Sequence, residues 1–81
     1  MLSNDDRAHL VNLAMQAEAE CYNAYFMREA TRILTDYANI HGAKVLWGFL
    51  INASPVTYRL YLEFCLLGSP ALKENISFKV V

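Results

Sequence analysis

The sequence predicts an all-α fold, a compact small helical domain, on three observations. Residues 5–40 contain no proline or glycine and are rich in residue types that favour helices. Ser-Pro pairs at 54–55 and 69–70 are typical helix starts, because serine caps a helix and proline fits its first position. Glycines at 42 and 68 follow apolar segments, and glycine commonly ends a helix there.

The first helical region is too long to stay unbroken. It starts at Ser3, whose hydroxyl can form a capping box with Asp6. A continuous helix over 5–40 would be roughly 54 Å long. A compact domain of 81 residues is only about 30 Å across. We therefore expect the helix to kink or break, or to project into a partner.

The apolar pattern predicts where that break falls. At about 100° per residue, the apolar stripe rotates by roughly 140° near Asn23. The first stripe comprises Leu10, Val11, Leu13, Ala14, Ala17, Cys21, Tyr22 and Ala24. The second stripe comprises Phe26, Ala30, Ile33, Leu34, Tyr37 and Ile40. One straight helix cannot lay both stripes on one surface, so we predict a kink or break near residue 23, between 20 and 26.

Two short apolar helices and a tail complete the predicted all-α fold. Residues 43–53 are apolar on nearly every side, and residues 56–67 follow the Ser-Pro start with Arg59 and Glu63 one turn apart. The segment 76–81 alternates and is rich in β-branched residues, which predicts an extended C-terminal tail.

An α+β fold is the alternative, with the helices packed on a three-stranded antiparallel meander. Apolar and polar residues alternate over 57–66, as in a half-buried strand, and 45–51 and 76–81 could pair with it. The leucine content and the Ser-Pro starts favour helices over strands for the same segments.

Composition predicts association. We assign residues 1–81 to one small helical interaction domain, in which 56% of residues are hydrophobic and 19% charged, against about 25% charged in ordinary domains. A small protein has proportionally more surface to cover, so this apolar surplus predicts a homo-oligomer, most simply a dimer, or a protein partner. The basic residues are scattered, which argues against nucleic acid. The longest uncharged run, 45–58, is interrupted by Pro55 and falls short of the ~20 residues of a membrane span.

The sequence offers no recognisable catalytic, cofactor or metal motif, so we expect neither an enzyme nor a bound group. There is no Cys-x-x-Cys, no His-Glu-x-x-His and no glycine-rich phosphate loop. A Cys65, His41 and Asp36 triplet has no local signature of a nucleophile. Because the N-terminus does not resemble a signal peptide, Cys21 and Cys65 are interpreted as reduced, buried thiols of a cytoplasmic protein.

The favoured hypothesis is a non-catalytic protein-binding regulatory module that acts as a homodimer. Small inhibitors, anti-activators and adaptors, including those carried by phages and mobile elements, are built in this way. The alternative is a membrane-peripheral regulator, although the Lys and Arg rim of such proteins is missing. One small core cannot hide every aromatic ring, so the expected protein-interaction residues are Trp47, Phe49, Tyr58, Tyr61, Phe64, Tyr22 and Phe26.

Overall fold

The computed structural model describes residues 1–67, which form four α-helices. They are α1 (Asn4–Ala19), α2 (Ala24–His41), α3 (Ala43–Ala53) and α4 (Pro55–Leu67). The all-α prediction is confirmed. The α+β alternative is wrong, because the segments that it makes strands, 45–51 and 57–66, lie in α3 and α4. The helix end predicted at Gly68, the helix start at 69–70 and the extended tail at 76–81 lie outside the described residues.

Each helix packs mainly against its neighbours in a ring. α3 lies against α4 and α2, and α4 closes the ring on α1, whereas α1 and α2 share a smaller contact. The molecule measures 28 × 27 × 22 Å. This size agrees with the length argument that excluded one unbroken N-terminal helix.

A four-residue turn separates α1 from α2 and confirms the predicted break near residue 23. Cys21 and Tyr22 both have positive φ angles, 55° and 53°, which reverse the helical path. The Tyr22 N–H donates to the Ala17 carbonyl at 2.9 Å and closes the end of α1. Asn23 then caps α2, its Oδ1 accepting a hydrogen bond from the Phe26 N–H at 2.7 Å.

The helix starts at Ser3 and Ser54 use the caps that the sequence indicates. The Ser3 Oγ accepts from the Asp6 N–H at 3.0 Å, and the Asp6 carboxylate accepts from the Ser3 N–H at 3.1 Å. At the corner between α3 and α4, the Ser54 Oγ accepts from the Thr57 N–H at 3.3 Å, and the Ser54 N–H donates to the Thr57 Oγ1 at 3.1 Å. The second bond gives the fully buried Thr57 hydroxyl a partner. Pro55 occupies the first helical position, where its missing N–H is not needed.

Two glycines are predicted to respond in opposite directions to alanine. Gly42 links α2 to α3 with φ 95°, so Gly42→Ala should destabilise the protein by about 1–2 kcal/mol. Gly48 lies inside α3, where an added Cβ meets nothing within 4 Å, so Gly48→Ala should stabilise it by about 0.5–1 kcal/mol. Urea unfolding of both variants checks this, and shifts of equal sign would contradict the assigned backbone conformations.

The core lies where the four helices meet and is built mostly from small and aliphatic side chains around one tryptophan. The buried apolar residues are Leu2, Leu10, Leu13, Ala14, Ala17, Met27, Ala30, Leu34, Ala38, Leu46, Trp47, Leu50, Leu60 and Phe64. The first predicted stripe is confirmed for its leucines and for Ala14 and Ala17. In the second stripe, Ile40 is 74% exposed, and Met27 and Ala38 are buried instead. The buried face of α2 is therefore rotated from the predicted one.

Candidate protein-interaction face

Two of the seven predicted interaction residues lie entirely inside the domain. Trp47 on α3 is 0% exposed and Phe64 on α4 is 1% exposed, with their ring centroids 5.3 Å apart. A side chain without exposed surface cannot touch a partner directly. Trp47 and Phe64 therefore support the surface from inside the domain. Direct contact with a partner can involve only the other five aromatic residues.

On α4, the other helices of residues 1–67 leave an apolar face partly exposed. Tyr58, Tyr61, Leu62 and Cys65 are spaced i, i+3, i+4 and i+7, so they share one side of the helix. Tyr58 is 44% and Leu62 38% exposed, whereas Tyr61 and Cys65 are half-buried. We call these four residues the α4 face. Sequence reasoning missed Leu62 and Cys65, although their helical spacing from Tyr58 was a usable signal.

The aromatic residues fix the shape of the α4 face. The Tyr61 ring meets the Trp47 indole edge-on, with centroids 5.3 Å apart. Tyr58 stacks beside Tyr61 with centroids 6.4 Å apart and planes inclined by 20°. Burial raises the pKa of Tyr61, and the adjacent Cys65 thiol adds to this. Tyr61 is therefore held against the core, which lowers the entropy that a partner contact at this ring would have to overcome.

An ion pair within α4 lies beside this face, so its two charges cancel within one chain. Arg59 donates to the Glu63 Oε2 through Nε and Nη2, each at 2.8 Å. The same guanidinium lies over the Tyr22 ring, 4.9 Å from its centroid. Burial raises the pKa of Tyr22, and the positive charge of Arg59 opposes the rise. The predicted pairing of Arg59 with Glu63 is thus confirmed, and Tyr22 joins it from the turn before α2.

The other predicted interaction residues lie apart from the α4 face. Phe26 is half-buried on α2 and packs against the core. Phe49 is half-buried on α3 and lines a groove with Leu2 and Arg7 near the N-terminus. The structure therefore gathers Tyr58 and Tyr61 over Trp47 and Phe64, and it leaves Phe26 and Phe49 on other surfaces.

The two histidines flank Tyr37 at the contact between α1 and α2. A 2.7 Å hydrogen bond joins the His9 Nδ1 to the Tyr37 Oη. The His41 ring stacks on Tyr37 at 5.9 Å, and its Nε2 lies 3.3 Å from an Asp6 oxygen. Burial raises the pKa of Tyr37, and the Asp6 charge adds to the rise. Sequence reasoning missed this cluster because its members are distant along the chain. His41 pairs with Asp6, not with Asp36 of the triplet considered above.

Asp6 is predicted to make stability depend on acid. The Ser3 backbone hydrogen bond, opposed by partial burial and helped by His41, holds the pKa of Asp6 below its ordinary value of 3.8. A lowered folded-state pKa stabilises the protein above pH 3.8, and that stability is lost as the pH falls through the folded-state value. Asp6→Asn should lower the free energy of unfolding at neutral pH, and this free energy should then fall less steeply in acid than it does in the wild type. Urea midpoints between about pH 2 and 7 test this, and parallel profiles for both proteins would contradict it.

The two cysteines occupy different environments. Cys65 is half-buried within the α4 face, whereas Cys21 is exposed in the turn between α1 and α2. The prediction of a buried thiol is wrong for Cys21, because the chain leaves its helical path there and the side chain no longer follows the apolar stripe of α1. A thiol reagent is therefore expected to reach Cys21 in the native protein.

Within residues 1–67, no three or more His, Cys, Asp or Glu side chains are grouped so that they could hold a metal ion. In the same part of the chain, every helix is too short or too polar to cross a membrane. No protein-family model matches the sequence, and neither a curated protein nor a solved structure gives a significant match.

Proposed function

We propose that this chain is a non-catalytic, protein-binding regulatory module that acts as a homodimer through the α4 face. The observation that carries the proposal is the run of Tyr58, Tyr61, Leu62 and Cys65, which the other helices of residues 1–67 leave partly exposed beside the side of α4 that forms the core. Large apolar side chains that share one exposed helix face are typical of contact surfaces, whereas scattered ones are ordinary.

A second copy is the occupant that the charges favour. The α4 face contains no charged residue, and the neighbouring Arg59 and Glu63 neutralise each other within one chain. Two copies can therefore approach through this face without bringing unpaired like charges together. A two-fold interface uses the same patch on both chains, so a patch that is uncharged and apolar is compatible with itself.

The interface must extend beyond α4 onto α3. A stable interface buries about 800 Å² per partner, roughly a sixth of the 4969 Å² of accessible surface of this chain. Because Trp47 contacts Tyr61, the residues that follow Trp47 around α3 border the α4 face. By helical spacing these are the half-buried Ile51, Gly48 and the exposed Lys44. Ile51 would widen the apolar contact, whereas the Lys44 ammonium group would stay in water at its rim.

An antiparallel pairing of the two α4 helices fits this surface best. The α4 face runs from Tyr58 to Cys65, so a two-fold axis at its centre, between Tyr61 and Leu62, brings Tyr58 opposite Cys65 of the partner subunit. This orientation also opposes the two helix dipoles, whereas a parallel pairing would bring like ends together. The regulatory part of the proposal rests on an analogy of size and composition with small inhibitors, anti-activators and adaptors, which act by occupying a surface on another protein.

Sedimentation equilibrium across a dilution series tests the proposal. The chain has a mass of 9.2 kDa, and we expect twice that mass in the micromolar range. A chain that remains monomeric at high micromolar concentration would contradict the homodimer. If such a monomer also sediments with lipid vesicles, the membrane-peripheral alternative becomes the better explanation.

A further inference from the structure

A groove between the N-terminal segment and the outer side of α3 has the composition of a small-molecule site. Its volume is about 520 Å³, within the ~300–1,000 Å³ of typical ligand pockets. The lining is mostly apolar and consists of Met1, Leu2, Val45, Phe49 and Ala53, with Arg7 and Asn52 as its polar members. An apolar lining with a few polar groups is typical of sites that orient an amphiphilic ligand.

Arg7 and Asn52 both offer N–H donors to the groove, and no carboxylate of the described chain lines it. Arg7 has no carboxylate within ion-pair distance among residues 1–67. The Asn52 Nδ2 donates one hydrogen to the Gly48 carbonyl at 2.8 Å and has a second hydrogen to offer. The groove thus combines an amide and an apolar lining with one positive charge that has no ion-pair partner among residues 1–67.

We propose that this groove binds a single-chain anionic amphiphile, a medium-chain fatty acid in chemical class. The carboxylate would pair with Arg7, and the alkyl chain would lie against Val45, Phe49 and Leu2. A guanidinium recognises a carboxylate through two parallel hydrogen bonds, and apolar burial supplies the rest of the affinity. The groove contains no residue of the α4 face, and its proposal does not rest on the homodimer.

Titration of the full chain with decanoate below its micelle concentration tests the site, using calorimetry and amide chemical shifts. We expect saturable binding of one ligand per chain, with shift changes centred on residues 1–7 and 45–53. Octanoate should bind on the order of tenfold more weakly, because each methylene contributes about fourfold. Decanol and decyltrimethylammonium should also bind more weakly than decanoate. Equal binding of all three head groups, or shift changes centred on residues 58–65, would overturn the proposal.

Matched variants test separately how the Arg7 charge and the apolar lining contribute to binding. Arg7→Gln should weaken decanoate binding roughly threefold to tenfold, whereas Lys44→Gln, an exposed α3 cation that does not line the groove, should leave it unchanged. Val45→Asp should abolish binding, and Leu62→Lys on the α4 face should not affect it. Equal effects of Arg7→Gln and Lys44→Gln, or binding seen only with anionic vesicles, would overturn the assignment.

Discussion

Replacing Trp47 with alanine is expected to lower the free energy of unfolding by about 3–5 kcal/mol. The indole is fully buried and contacts Tyr61 and Phe64 with ring centroids 5.3 Å away in each case. Its removal leaves a cavity between α3 and α4, which pack closely against each other. Because domains are stable by only about 5–15 kcal/mol, this loss is a large fraction of the total stability. Urea unfolding followed by circular dichroism measures the effect.

Two variants keep this prediction testable if Trp47→Ala does not fold. Trp47→Phe keeps a ring in the core and removes an indole N–H that has no partner within the described chain. We expect it to destabilise by only about 1–2 kcal/mol, because loss of the unsatisfied donor offsets part of the lost packing. Tyr58→Ala removes an aromatic ring from the same helix pair but from an exposed position, and we expect less than about 1 kcal/mol in the monomer. Equal losses for Trp47→Phe and Tyr58→Ala would place Trp47 outside the core.

Replacing Leu62 with lysine is expected to weaken self-association by at least about 2 kcal/mol, or roughly thirtyfold in dissociation constant. Leu62 is 38% exposed and lies at the centre of the α4 face. In the proposed dimer, the new ammonium group would be buried against apolar side chains without a carboxylate partner. The folded monomer should change little, because the lysine can extend into water there.

Ile40→Lys is the matched control for Leu62→Lys. It makes a comparable change of an aliphatic residue to lysine at a more exposed site, 74% accessible, on α2. Sedimentation equilibrium should show dimers for Ile40→Lys and monomers for Leu62→Lys at the same micromolar concentration. If Ile40→Lys dissociates the dimer as strongly, the interface does not lie on the α4 face.

The helix boundaries could be predicted because their signals are local. Helix ends are fixed by residues within a few positions of one another, as at Ser3 with Asp6, at Gly42, and at Ser54 with Pro55. The break near Asn23 was also predictable, because two apolar stripes that point in different directions cannot share one straight helix. Sequence alone leaves the break within a few residues, and the positive φ angles of Cys21 and Tyr22 locate it.

The division of aromatic residues between core and surface could not be predicted, because it depends on how the helices pack. Trp47 and Tyr58 are similar in sequence context, yet one is fully buried and the other lies on the α4 face. For the same reason the cluster of His9, Tyr37 and His41 was missed: its members come from two helices, and only their packing brings the rings together. Periodicity identifies an apolar face but not the neighbour that covers it.

The antiparallel α4 dimer is tested most directly by a disulfide between Tyr58→Cys and the native Cys65, in a Cys21→Ser background. Within one α-helix these positions are about 10.5 Å apart, beyond the ~7 Å limit between Cα atoms for a disulfide. Packed helix axes are about 8–10 Å apart, so the same two positions on facing helices of two chains come within reach.

Mild oxidation at low micromolar concentration should therefore yield a covalent dimer with a mass near twice 9.2 kDa. Peptide mapping should show position 58 joined to Cys65 of the partner subunit. Dilution below the dissociation constant should abolish the product, as a contact between folded chains requires. A product joined only through like positions, or no covalent dimer although both thiols react with a labelling reagent, would contradict the antiparallel α4 dimer.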